Sequence, residues 1–142
     1  MELANQAAHV SKKRVWTGRI ISALVVLFLL FDGVTKVMKE AHVLAASAQL
    51  GFPERTVFGI GVLLLACTAV YVIPRTSILG AILLTGYLGG ATATNVRAGD
   101  PLFETLFPVI FGVLVWGGLF LRDEPLRALI PLRTHSARRL TE

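Results

Sequence analysis

Two ionisable residues one helical turn apart, Asp32 and Lys36, sit inside an otherwise apolar run of the chain. Polar residues of two other runs fall at a matching depth: Asn95 and Arg97 end one of them, and Asp100 and Glu104 begin the next. A carboxylate and an ammonium spaced i, i+4 share a helix face and can pair. In hydrocarbon such groups are expensive, and they mark ligand paths, proton relays or head-group sites. Asp32 is the sharpest case: it lies about two-thirds of the way along its run at roughly 1.5 Å per residue, too deep for a short side chain to reach water. It therefore needs Lys36, Arg97 or a proton. The others also have structural uses, since the helix dipole favours Lys36 near a C-terminus and Glu104 in a first turn, and Arg97 can snorkel from a span end. The expected site is a polar pocket of Asp32, Lys36, Asn95, Arg97 and Glu104, able to bind a polar head group or to hold helices together.

Other chemistry finds no constellation. His9, His42 and His135 lie outside the apolar runs and far apart, so neither a metal nor a haem site is expected. Cys67 is the single cysteine, which excludes an intrachain disulfide and a Cys-x-x-Cys centre and leaves a small apolar packing residue. Gly86 to Gly90 follows no strand and is not a phosphate loop, and Ser22 and Ser47 have no histidine placed for a triad. No catalytic residue is assigned, and no cofactor is evident from the residues themselves.

The elements that must carry the polar residues are four apolar runs: Gly18 to Val37, Thr56 to Ile73, Ser77 to Val96 and Leu102 to Leu121. Each is about long enough to cross a bilayer as a helix, and backbone bonding in hydrocarbon leaves the α-helix as the solution. The chain is 54% hydrophobic with a mean hydropathy of +0.69, so little remains for a water-soluble part. The expected fold is all-α: an integral membrane four-helix bundle forming one transmembrane domain over residues 1–142. Residues 1–11 have no periodicity and are expected to be disordered. Residues 39–50 have high helix propensity, stopped by Gly51 and Pro53, and predict a short helix on the outer membrane surface. Pro74-Arg75-Thr76 permits only a tight antiparallel turn, with Thr76 or Ser77 as helix cap, and Asp100 is expected to cap the fourth span with Pro101 at its first position.

A net charge of +5 with a pI near 10.0 raises the question of nucleic acid, but the basic residues flank the apolar runs, which excludes that class and points to anionic lipid. Ten of the 14 Lys and Arg fall on the side of the N-terminus, the Arg75 turn and the C-terminus; Lys36, Lys39, Arg55 and Arg97 fall on the other. Both termini are thus expected in the cytoplasm. Trp16, Tyr71 and Trp116 then sit near the cytoplasmic interface, with polar tips reaching water. Lys12 to Arg14 followed by an apolar run suggests a signal peptide, but Ala46-Ser47-Ala48 lies too far from that run to be its cleavage site. The Arg-rich tail through Arg133, Arg138 and Arg139 reads as a topology anchor. Small residues repeat every four positions in the third span, Ala81, Thr85, Gly89, Ala93 and Gly86, Gly90, Thr94, so this helix is expected at the bundle centre. Pro108 should kink the fourth span, and Gly112, Gly117 and Gly118 offer further close-contact surface.

Gly33-Val34-Thr35-Lys36, Leu50-Gly51-Phe52-Pro53 and Asn95-Val96-Arg97-Ala98-Gly99-Asp100-Pro101, in this order and spacing, resemble the DoxX-like family of small bacterial integral membrane proteins. The likeness covers residues 17 to 133 and is closest from Pro74 onward, through Leu79-Gly80-Ala81 and Gly89-Gly90-Ala91. It implies a four-helix membrane bundle in the inner membrane, a quinone as cofactor and a redox-complex subunit as partner; the basic flanks add membrane lipid, and the small-residue rows of the third span offer a contact for a second copy of the chain. Many relatives carry His in place of Asn95, and Glu early in the second span in place of Leu63 or Leu64. The leading expectation is an accessory subunit of a quinone-linked membrane complex, without catalysis of its own. The alternatives are a small dimeric transporter coupled through Asp32, and a membrane enzyme acting on a lipid-soluble substrate.

Overall fold

The computed structural model describes residues 2–129, with side-chain environments from 12 to 127. Its helices are α1 (Glu2–Val37), α2 (Ala41–Gln49), α3 (Glu54–Val72), α4 (Ser77–Ala98), α5 (Leu102–Arg122) and α6 (Glu124–Leu129), with no strand among the described residues. Four segments, 12–37, 54–72, 77–98 and 102–122, are long and apolar enough to cross a membrane, each within a few residues of the predicted span at most ends. The largest difference lies at the N-terminus, where residues 2–11 continue α1 rather than forming a disordered segment. Glu2, Leu3, Ala4, Gln6, Ala7 and Ala8 are good helix formers, and the membrane helix provides a nucleus on which they extend.

The four long helices form a ring. α1 packs against α3 and α5, and α4 packs against the same two, while the diagonal pairs make little or no contact. Hydrophobic burial does not hold such helices together in lipid, so close backbone approach and interhelical hydrogen bonds must. The close approaches occur at glycines outside the repeated rows. A Cβ on Gly18 would lie 2.8 Å from the Gly118 carbonyl, one on Gly61 2.7 Å from Lys36 Cβ, and one on Gly80 2.3 Å from the Tyr71 backbone. By contrast a Cβ on Gly86, Gly89, Gly90 or Gly117 would meet nothing within 4 Å. The expectation that the third span forms the bundle centre is therefore corrected: α1 makes most of the tight contacts, α4 packs closely only near its start, at Gly80 and the buried Ala81, and its later glycines, Gly86, Gly89 and Gly90, meet no neighbour.

Tyr71 also departs from expectation. Its side chain is fully buried, and its hydroxyl donates to the Val115 carbonyl at 2.9 Å and lies 3.1 Å from Ser22 Oγ instead of reaching water. A buried phenol that finds two partners gains burial without an unpaired hydroxyl. The Arg122 guanidinium sits over its ring, 5.0 Å from the centroid.

The connections follow local chemistry. α1 ends through Lys39 in the left-handed region (φ 55°), and α4 ends through Gly99 (φ 76°), with the Asp100 N–H returning to the Asn95 carbonyl. Thr76 occupies the N-cap position of α4 but caps nothing there; its hydroxyl donates backwards to Val70 O at 2.9 Å, and Ser77 donates to Pro74 O at 3.1 Å. Pro101, not Asp100, is the residue preceding α5. Asp123 caps α6 through the Leu126 N–H at 3.0 Å, which seats the buried Leu126. Arg133, Arg138 and Arg139 lie outside the described residues.

Candidate functional site

The ring of helices encloses a cavity of about 740 Å³, bounded by α1, α3, α4 and α5 and reaching Ser47 and Leu50 of the α2 region. Its walls are overwhelmingly apolar. On α1 and α5, Phe28, Phe107 and Phe111 form an aromatic cluster with centroids 4.4 to 5.5 Å apart, an arrangement that prefers offset or edge contact. Polar groups gather toward the end where α1 and α4 terminate: Asp32, Lys36, Thr94 and Asn95 all line this cavity.

Asp32 and Lys36 pair as their spacing requires, Nζ to Oδ1 at 2.5 Å, with side chains 33% and 18% exposed. Each partner lowers the other's desolvation cost, and the pair leaves one carboxylate oxygen and two ammonium N–H groups for another molecule. Asn95 has a more specific task. Proline at 108 has no N–H to give to the carbonyl four residues earlier, which belongs to Glu104. Asn95 Nδ2 donates to that Glu104 carbonyl at 2.8 Å. The amide thus fastens α4 to α5 at the acceptor the proline released, while its Oδ1 remains available beside the cavity.

Arg97 and Glu104 do not line the cavity, and both are exposed. Arg97 donates to the Leu50 carbonyl at 3.3 Å and so ties the end of α2 to α4. Glu104 contributes its backbone carbonyl rather than its carboxylate. Nearby, Lys39 and Glu54 form an exposed pair at 2.9 Å across the α1 to α3 connection. Of the five predicted residues, three meet at the cavity and two serve its rim.

Tyr87 is the cavity residue that the sequence reading passed over. It lies mid-span, far from either interface, which is itself a signal: a phenol at that depth requires a polar neighbour or a polar ligand. Cys67 also lines the cavity, where it contributes a small apolar surface. Among the described residues no group of His, Cys, Asp and Glu is disposed to hold a metal ion.

Four apolar helices around a lipid-scale cavity define a small multi-pass membrane protein, which necessarily contacts lipid. The chain belongs to the DoxX-like family, whose family model matches residues 20–118. That match is narrower than the 17–133 expected from the motifs, and it contains every residue lining the cavity. No curated protein and no solved structure matches the chain.

Proposed function

We propose that this protein binds a lipid-soluble molecule with a polar head, of quinone or lipid type, in the cavity between its helices, and serves as an accessory subunit of a quinone-linked complex in the inner membrane. The observation that carries the proposal is an asymmetry: the cavity is apolar along its length and polar at one end, where Asp32, Lys36 and Asn95 converge. Its volume falls within the roughly 300–1,000 Å³ of small-molecule sites, and such sites combine apolar walls with a few orienting polar groups. Phe28, Phe107 and Phe111 supply flat apolar surface for a ring or chain. The quinone-linked role rests on the family likeness alone, which transfers fold more securely than chemistry. Ten of the 14 basic residues favour both termini in the cytoplasm, which puts the polar end of the cavity on the outer side.

The test is to purify wild type and Asp32→Asn in mild detergent and to analyse bound lipid, quinone and protein by mass spectrometry. A quinone, lipid or partner subunit retained by wild type and lost by the variant supports the binding role. Empty preparations of both, equally stable, contradict it.

A further inference from the structure

The cavity is not sealed from the bilayer. Leu63 on α3 and Ile82 and Leu83 on α4 line it, yet they are 55%, 54% and 42% exposed, so the wall between α3 and α4 is a gap with apolar lips. The gap has a geometric cause. At the turn between the two helices a Cβ on Gly80 would lie 2.3 Å from Tyr71 backbone atoms, whereas at Gly86 and Gly90, farther along the same helix, it would meet nothing within 4 Å. The helices are fastened at the turn and stand apart beyond it. Ile82, Gly86, Gly90 and Thr94, spaced by four, share one face of α4 and line the cavity there. Steric fit would allow larger residues at both glycines, and helix propensity would favour them. What glycine contributes is the absence of a side chain.

The charges at the polar end add a second constraint. Among the described residues lining the cavity, Asp32 is the only carboxylate and Lys36 the only ammonium, and their formal charges sum to zero. A head with net charge entering this site would be attracted by one and repelled by the other, and would lose its hydration without a matched counter-charge. An uncharged head can accept from Lys36 and Tyr87 and donate to Asp32 or Asn95.

We infer that the cavity is loaded sideways from the bilayer, through the gap between α3 and α4, by an amphiphile with an uncharged hydrogen-bonding head, and that Gly86 and Gly90 keep this passage clear. The inference rests on the binding role proposed above and specifies its ligand class and route. A quinone, whose carbonyls only accept, its quinol, which also donates, and a monoacylglycerol all have such an uncharged head; an anionic phospholipid does not.

Photolabelling in phosphatidylcholine nanodiscs tests it, with an azido-quinone, a diazirine-tailed monoacylglycerol and a diazirine-tailed phosphatidylglycerol as separate probes and adducts mapped by peptide mass spectrometry. One or both uncharged probes should label residues 60–67 and 82–91 of the wild type, and the probe that does so names the source. Gly86→Leu and Gly90→Leu should each lower that labelling about tenfold, because losing the burial of even two methylene groups costs about that factor. Gly117→Ala, on α5 outside the cavity lining and with nothing within 4 Å of the added Cβ, should label as wild type, and the lipid-facing surface near Val113, 67% exposed, should label equally in all proteins. Circular dichroism confirms that each variant is folded; with two leucine variants, one folded protein suffices. Unchanged labelling in a folded leucine variant overturns the lateral passage but not the cavity's binding role. Preferential cavity labelling by phosphatidylglycerol overturns the uncharged head. No cavity labelling by any probe in wild type overturns both proposals.

Discussion

The two halves of the interface between α3 and α4 use glycine in opposite ways. Near the turn, Gly80 allows Tyr71 to press against the α4 backbone, and the Tyr71 hydroxyl is bonded to Ser22 and Val115 on α1 and α5. Toward the other end, Gly86 and Gly90 meet no neighbour and border a cavity. In lipid a bundle is fastened by close packing and interhelical hydrogen bonds. Between α3 and α4 this molecule concentrates them near the turn, and that closed end is what lets the other end of the pair remain open without collapse. At the open end α1 and α3 still pack closely, with Gly61 against Lys36, while α4 is tied by side-chain hydrogen bonds, Asn95 to the Glu104 carbonyl and Arg97 to the Leu50 carbonyl.

The contrast can be broken most forcefully at Gly80. Gly80→Ala should destabilise the protein by about 2–3 kcal/mol, as overpacking against backbone does, while Gly86→Ala should leave stability unchanged or raise it by up to about 1 kcal/mol through helix propensity. Reversible unfolding in mixed micelles measures both, and equal effects would erase the distinction between the two ends. Next in size, Asn95→Leu should cost about 1–2 kcal/mol by leaving the Glu104 carbonyl unpaired. Pro108→Ala sharpens this, because it restores an N–H to that carbonyl; in its background the Asn95→Leu cost should shrink markedly, as a double-mutant cycle would record. Tyr71→Phe removes the hydroxyl of the closed end and should cost about 1 kcal/mol. The smallest effect is expected at Glu104→Gln, within about 0.5 kcal/mol and without change in what co-purifies, since its carboxylate stands outside the cavity.

Much of this architecture is legible in the sequence. Hydropathy and length give the four spans, Gly51 and Pro53 give the end of α2, and antiparallel connections bring Asp32, Lys36 and Asn95 to one end. Other features were not legible, for definable reasons. A four-residue repeat of small side chains marks a face without bulk, and such a face serves a close contact or an empty space equally well; only the divergence of α3 from α4 decides for space. The partner of Asn95 is a backbone carbonyl freed by Pro108, a pairing between a side chain and a missing N–H that spacing alone does not reveal. Tyr71 near a span end has the composition of an interface anchor, and its burial depends on Ser22 and Val115 from two other helices. Tyr87 was within reach, because a mid-span phenol asks for a partner.

The most direct measurement is thermal unfolding of the purified protein with and without a short-chain quinone, comparing wild type with Asp32→Asn and Gly86→Leu. A ligand bound only by the folded state at about a hundred times its Kd stabilises by about 2.7 kcal/mol. The quinone should raise the melting temperature of wild type and leave both variants nearly unmoved. An equal rise in all three proteins, or none in wild type, would contradict a ligand site at the open end of the bundle.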